Sequence, residues 1–261
     1  MTMSRVLDPQ PVPVVEKAVG ARPVSVDVSA TRGIGQPLAP IFTAMAVMVL
    51  TILALTFART ADMVAALWGA GGLAVAVWLR TSRGPLYDLC FGGLVACGLA
   101  AGNLLAGNST TTTLIFTVAN MMDIYAAVLL ARRFAPTLNL ASVEGASRFL
   151  ISAAVIAPIP AAAFIGGMLW LRNGADFMDT AQTWWFGHAL SIAVVASFGL
   201  ALTRRELVRL RSPARATEAV ILLGLLTLAN VLIFGMQSLP ISFVTLPLLL
   251  LIAVRLRLLG V

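Results

Sequence analysis

Charged side chains are scarce in this sequence. They make up 11% of its 261 residues, whereas a soluble domain usually carries about 25%. Hydrophobic residues make up 59%, and the mean hydropathy is +0.95. This charge is too sparse to cover the surface of a large soluble domain, and strand-like alternation of polar and apolar residues is absent. The composition therefore predicts an all-α integral membrane protein.

Residues that bind metals or form disulfides are also rare. The two cysteines, Cys90 and Cys97, lie seven residues apart in one apolar run without a CxxC pair, so we expect small core residues. His188 is the only histidine, and a membrane haem usually takes two axial ligands. A nucleophile with a neighbouring base is not recognisable either. The sequence predicts no catalytic residue, no metal and no cofactor.

Long apolar runs dominate the chain from Leu38 onward. Crossing a membrane takes about 20 apolar residues, and eight runs approach that length. They are Leu38–Ala58, Met63–Leu79, Leu86–Gly107, Thr112–Ala131, Phe149–Leu171, Thr183–Thr203, Ala219–Met236 and Leu239–Val254. We predict eight transmembrane helices in one domain, residues 38–261. Residues 1–37 are Pro-rich and show no apolar periodicity, so we expect a disordered cytoplasmic tail.

The positive charges predict the orientation of these helices. With eight spans both termini lie on one side, and 16 of the 18 lysine and arginine residues fall on that side. Only Arg59 and Arg172 fall on the other side. Cytoplasmic loops carry such an excess, so both termini are predicted to be cytoplasmic. These charges face anionic lipid headgroups. No segment is large enough to form a basic domain, so we expect lipids and no nucleic acid as partners.

Ionisable groups inside spans are costly unless paired, which makes each one a candidate functional residue. Asp88 begins the third span close to Arg80 and Arg83, so we expect an interfacial ion pair. Asp123 lies about 12 Å from the cytoplasmic end of the fourth span, with Asn120 on the same face. These two side chains either clamp neighbouring helices by hydrogen bonds or form a ligand site.

His188 stands in the motif TWWFGHALS, about 8 Å below the outer end of the sixth predicted span. Trp184 and Ser191 share its helix face. The imidazole is either a hydrogen-bonded contact between helices or a sensing group linked to a proton, because histidine titrates near physiological pH. Trp68 lies at a similar depth, and Asn103 and Asn230 fall in the same half. We predict an outward-opening pocket lined by Trp68, Asn120, Asp123, Trp184 and His188.

The fifth predicted span contains two prolines, Pro158 and Pro160, in the sequence APIP. Proline has no backbone N–H and interrupts the hydrogen bonds of a helix. We therefore expect a kink or hinge at this point.

Six motifs follow one another along the chain in a characteristic order. They are LWGAGGLA from residue 67, GNLLAG from 102, ANMMDIYAAVLLARRF from 119, SRFLISAAVIAP from 147, TWWFGHAL from 183 and LPLLLLIAVRLRLLG from 246. Together they resemble the membrane-associated sensor domain called MASE, of its first type, over about residues 61–261. In that family an Asn-x-x-Glu precedes an Arg pair at the helix end, and an Arg-Phe opens the next span. The matching residues here are Asn120 with Asp123, the pair Arg132 and Arg133, and Arg148.

The sequence departs from the family pattern at three positions. The family's Trp-Pro is Trp68–Gly69 here, and its glutamate is the shorter Asp123. Its Gly-Asp is Gly187–His188, which replaces an acid with a base. The last change puts in doubt any role that depends on the charge of that side chain.

The resemblance implies a sensory input module in the inner membrane of a bacterium. Relatives pass their signal to GGDEF cyclases, EAL phosphodiesterases or histidine kinases. Because none of these follows the last span, we expect an isolated sensor, a truncated product or an adaptor, without enzymatic activity of its own. It would act through a cytoplasmic partner in cyclic-di-GMP or two-component signalling, and a homodimer is left open. The alternative is a small transporter with a polar site near mid-membrane.

Overall fold

The computed structural model describes residues 38–57, 68–82, 84–140 and 142–202, with short stretches at 212–214, 217–218, 220–222 and 224–225. Six helices of more than ten residues run through this part of the chain. They are α1 (Ala39–Phe57), α2 (Ala70–Thr81), α3 (Pro85–Leu105), α4 (Thr110–Phe134), α5 (Val143–Asn173) and α6 (Phe177–Ala201).

Five of these helices, α1 and α3 to α6, are long and apolar enough to cross a membrane, and α2 is a shorter apolar helix. Each corresponds to one of the first six predicted spans, and no strand occurs among the described residues. The all-α membrane architecture is therefore confirmed. The predicted tail, residues 1–37, and the eighth predicted span lie outside the described residues, and the seventh is described only in part.

Side-chain caps decide where three of the helices begin. Ser109, Ser142 and Asp176 precede α4, α5 and α6, and each side-chain oxygen accepts a hydrogen bond from the backbone N–H three residues later, at 3.3, 3.1 and 2.8 Å. These bonds satisfy N–H groups that have no partner inside the helix. Gly174 ends α5 in the left-handed conformation, with φ of 71°.

The predicted start of the sixth span, Thr183, is wrong. The helix begins at Phe177, because Asp176 caps it and its first two turns are polar enough to fall outside a hydropathy window. His188 is therefore eleven residues into α6, about 16 Å along the axis rather than the predicted 8 Å. Asp123 is thirteen residues into α4, so both side chains lie near the middle of their helices.

Helix α2 lies at the centre of the described bundle, in contact with α1, α3, α4 and α6. Small residues allow this close approach, as is usual between membrane helices. The backbone N–H of Gly72 donates to Ser191 Oγ on α6 at 2.9 Å. A Cβ on Gly72 would clash with the carbonyl oxygen of Ser191. Helices α1 and α3 also lie close together, because a Cβ on Gly98 of α3 would clash with the carbonyl oxygen of Ala44 on α1.

Two helices contain a π-helical segment near mid-bundle. Leu150–Ile156 in α5 comes directly before Pro158, and Ser191–Ala196 in α6 follows His188. The two segments are in contact. Prolines leave carbonyls about one turn earlier without a donor, and in this turn the indole N–H of Trp185 donates to Val155 O at 2.9 Å. The helix irregularity thus lies where the two prolines predict it, and a hinge there stays a prediction.

The prediction that Cys90 and Cys97 are core residues is wrong. Both are free and exposed on α3. Phe91, Val95 and Leu99 form the buried face of that helix instead. Composition alone does not show which side of an apolar membrane helix faces its neighbours, because the lipid-facing side is apolar too.

We expect Gly72→Ala to destabilise the protein, because the new methyl group would push α2 away from Ser191. The thermal midpoint in detergent should fall. The control is Gly167→Ala on α5, where a Cβ meets no atom within 4 Å. That variant should be neutral or slightly stabilised, by up to about 1 kcal/mol, since alanine favours helices over glycine. Equal midpoints for the two variants would contradict the packing.

Candidate functional site

A carboxylate and an imidazole form a direct contact inside the bundle. Asp123 Oδ2 on α4 is hydrogen-bonded to His188 Nδ1 on α6. The two side chains are 1% and 3% exposed. Burying a single ionised group costs desolvation free energy. A pair that shares a proton has a smaller desolvation cost. The sequence predicted each residue as a candidate without predicting that they are partners.

Two tryptophan rings stack on the imidazole of His188. Trp184, one turn earlier on α6, lies 4.2 Å away between ring centroids at an angle of 14°. Trp68, which immediately precedes α2, lies 5.7 Å away at 13°. The imidazole is thus enclosed by two aromatic rings, one from its own helix and one from the segment before α2. Phe116 of α4 packs on Trp184 with centroids 6.0 Å apart.

The structure brings together the side chains predicted for the pocket. Trp68, Asp123, Trp184 and His188 are in contact, and Asn120 lies about one turn before Asp123; all five are buried. Asn120 Nδ2 donates to the carbonyl of Phe116 at 2.8 Å.

Asn103, one of the other two asparagines predicted in the same half, does not extend this group. Asn103 accepts a hydrogen bond from Asn108 Nδ2 at 2.7 Å and donates to Leu99 O, which secures the end of α3. Asn230 lies outside the described residues. Depth in the sequence alone therefore did not show that Asn103 is bonded at the end of its own helix.

Several polar atoms around the pair have no hydrogen-bond partner among the described residues. They are Oδ1 of Asn120, Oδ1 of Asp123, and the indole Nε1 atoms of Trp68 and Trp184. Two acceptors and two donors are thus available beside the stacked rings. Buried polar groups normally have partners, so the arrangement suits a small polar species. The described residues contain no group of three metal-binding side chains.

A second polar cluster lies at the opposite end of the bundle, where α3 begins. Asp88 accepts two hydrogen bonds from Arg132 of α4 at 2.7 and 3.1 Å. It also accepts bonds from Trp78 Nε1 at 2.7 Å and from Ser82 Oγ at 2.8 Å. The predicted ion pair of Asp88 is confirmed, but its partner is Arg132.

The predicted pairing of Asp88 with Arg80 is wrong. Arg80 instead donates to the carbonyl oxygens of Gly199 and Leu202, both at 2.5 Å, at the end of α6. The last carbonyls of a helix lack internal partners and attract cations, which explains the preference. Arg83 lies outside the described residues.

The remaining charges predicted at this end are peripheral. Arg133 lies over the ring of Phe134 at 5.6 Å, and Arg148 pairs with Glu144 at 2.6 Å on the exposed start of α5. Exposed pairs of this kind contribute little stability. The charges at this end therefore form two kinds of group. One cluster, around Asp88, joins three helices, while Arg133 and Arg148 lie on the surface.

We expect the Asp123–His188 pair to be strongly coupled energetically. Asp123→Leu alone leaves the imidazole without its partner, and breaking a buried pair in this way costs about 3–5 kcal/mol. The double variant Asp123→Leu with His188→Leu should recover most of that loss, since no polar partner is left alone. Unfolding in mixed micelles, followed by circular dichroism, measures the cycle. Additive losses would contradict the coupling.

The inner cluster allows a matched comparison of neighbouring arginines. Arg132→Gln removes both bonds to Asp88 and should lower the free energy of unfolding by on the order of 1 kcal/mol, because Arg132 is 37% exposed. Arg133→Gln removes the same charge without touching Asp88 and should change it less. Equal thermal midpoints for the two variants would show that the bonds contribute nothing.

Comparison with known proteins identifies the family of the chain. A family model described as MASE1 matches residues 37–261, which include α2, α4 and α6. No curated protein and no solved structure shows significant similarity to the chain. The match covers all of the chain beyond its first 36 residues. The chain belongs to the MASE1 family of membrane-associated sensor domains.

Proposed function

We propose that the chain is the sensory input module of a bacterial inner-membrane signalling system, and that it reads its stimulus at the Asp123–His188 pair. The observation that carries this proposal is the burial of a titratable pair against two tryptophan rings. Ionisable groups inside a membrane are expensive and are kept where they serve a function. The family match supports a sensory role rather than a purely structural one.

The proposed topology has eight spans with both termini in the cytoplasm. Among the described helices, the contact of Asp88 with Trp78 and Arg132 joins the end of α2, the start of α3 and the end of α4. Arg80 adds the end of α6 to the same side. These helices therefore alternate in direction, as successive spans must. The excess of positive charge assigns this side to the cytoplasm.

The signal would pass from the site to the cytoplasm along α2 and α6. Trp68 contacts His188 at one end of this helix pair, and Gly72 contacts Ser191 one turn further along. Arg80 holds the last carbonyls of α6 at the other end. A π-helical segment, Ser191–Ala196, lies between these contacts. Such segments often occur at functional sites, so a shift of α6 against α2 would reach the cytoplasmic end.

The output would be made by a partner or by an attached domain, and the module itself would have no enzymatic activity. A GGDEF, EAL or kinase protein fits the family's usual linkage, and pairing of two copies would bring two outputs together. A stimulus changes the output only if it binds two conformations of the module unequally. A change of charge at the Asp123–His188 pair can separate two conformations in free energy, because a charge inside a membrane is costly.

A permease, the other function considered, would need polar groups on both sides of its site. Beyond the pair, the buried face of α4 toward the cytoplasm consists of Ile124, Ala127, Val128 and Ala131. This apolar half favours a sensor over a transporter.

We expect Asp123→Asn and His188→Gln to abolish the response of a cyclase fused after the last span, while expression and membrane insertion are kept. Both substitutions preserve size and remove the charge of the pair. The measurement is cyclic-di-GMP in cells carrying the fusion. Glu144→Gln, which removes an exposed carboxylate of α5, is the control and should leave the output unchanged. Normal responses in both site variants would rule out the pair as the stimulus site.

A further inference from the structure

A row of polar side chains leads from one end of the bundle to the pair. On α4 it consists of Thr113, Thr117 and Asn120, and it begins three residues into the helix and ends at Asp123. On α6 it consists of Thr180 and Trp184, begins three residues into the helix and ends at His188. Both helices start at the outer end of the proposed topology. We call these side chains the outer row; it is about 12–15 Å long at 1.5 Å per residue.

Unpartnered polar atoms are concentrated along this row. Nine buried side-chain N or O atoms lack a hydrogen-bond partner within the described ranges. Seven of the nine belong to the outer row, to Asp123 or to Trp68. They are Thr113 Oγ1, Thr117 Oγ1, Asn120 Oδ1, Asp123 Oδ1, Thr180 Oγ1, Trp184 Nε1 and Trp68 Nε1.

Three threonines elsewhere in the bundle behave differently, whereas Thr51 on α1 resembles the row in having no partner for its hydroxyl. Thr43, Thr56 and Thr81 donate to the carbonyl four residues earlier, each at 2.7 Å. The hydroxyls of the outer row make no such bond in the described structure, so they are free to bind water. Water reaching them from the outer end would satisfy these atoms, since buried polar groups normally have partners.

The path stops at the pair. Toward the cytoplasmic end, the buried side chains next to it on α4 are Ile124, Ala127 and Val128, and those on α6 are Ile192 and Ala196. The nearby hydroxyl of Ser191 already accepts the N–H of Gly72. Within the described part of the chain, the pair is thus reached through polar groups from the outer end only.

The pair also faces no other charged or titratable group of the described helices. The charges of the neighbouring helices lie at helix ends: Arg80 on α2, Asp88 on α3, Arg132 and Arg133 on α4, Glu144, Arg148 and Arg172 on α5, and Asp179 on α6. Tyr125 packs on Trp78, Tyr87 on Phe91, and Cys90 and Cys97 are exposed on α3. Residues of α1 carry no charge. Among the described residues, the pair therefore supplies the only carboxyl and imidazole groups at this depth.

We propose that the ligand of the Asp123–His188 pair is a proton delivered from the outer side through the outer row, so that the module reports the pH outside the membrane. This inference rests on the proposed sensory function for its consequence, but the proton site can be tested without it.

The charges balance at each step. With one proton on His188 Nε2 and a second shared between Asp123 Oδ2 and His188 Nδ1, the pair has no net charge. A further proton taken from outer water adds to Asp123 Oδ1, which leaves a positive imidazolium stacked on Trp68 and Trp184, where aromatic faces stabilise it. When the outer pH rises, the same proton returns along the row.

The single histidine makes the test direct. The full chain, without a histidine tag, is labelled with ¹⁵N-histidine and placed in liposomes in one orientation with trapped inner buffer. The imidazole resonances of His188 should move when outer pH is changed between about 5 and 8 and stay still when only inner pH is changed. Resonances that follow inner pH, follow both equally, or do not move at all would overturn the proposal.

Substitutions in the row test the path rather than the site. Thr113→Val and Thr180→Val keep the shape of the side chain and remove the hydroxyl. They should slow the response of His188 to an outer pH jump several-fold while leaving its final state unchanged. Thr43→Val and Thr56→Val, which lie on α1 away from the row, are the matched controls and should leave the rate unchanged. Equal rates in all four variants would overturn the outer row as the route.

The two proposals fail in different ways. If His188 follows outer pH but the fused cyclase ignores Asp123→Asn and His188→Gln, the proton site stands and the sensory function fails. If the cyclase depends on both residues but the imidazole ignores outer pH, the sensory function stands and the proton as its ligand fails.

Discussion

The contact between the carboxylate of Asp123 and the imidazole of His188 is the constraint on which the rest of the described bundle depends. Two titratable groups have left water in the middle of a membrane domain, and each is tolerable only because the other is there. The contact joins α4 to α6. Trp68 and Trp184 stack on it, and their rings add a favourable surface for charge on the imidazole.

Helix α2 connects this local contact to the rest of the bundle. It is short, and its small residues let it lie against α6 closely enough for the backbone N–H of Gly72 to reach Ser191. Its last turn places Arg80 on the final carbonyls of α6. Helix α2 and the Trp68 that precedes it thus contact both the buried pair and the end of α6.

Much of the architecture could be predicted because membrane insertion depends on local composition. An apolar run of sufficient length forms a helix whatever its neighbours are, since lipid offers no partners for backbone groups. The same rule misplaced the start of α6, where the Asp176 cap begins the helix in polar sequence. It also did not predict that Cys90 and Cys97 face outward, because hydropathy does not distinguish the lipid-facing side of a helix from the side that packs on protein.

The sequence by itself determined the six helices of the described bundle, the family and the candidate residues, for these follow from residue type and spacing along one chain. Only the tertiary structure decided which residues are partners. Asp123 binds His188 across 65 positions, and Asp88 binds Arg132 across 44 positions rather than the nearby Arg80. The physical reason is that a hydrogen bond requires atoms within about 3 Å, and packing of helices sets that distance, not separation in sequence.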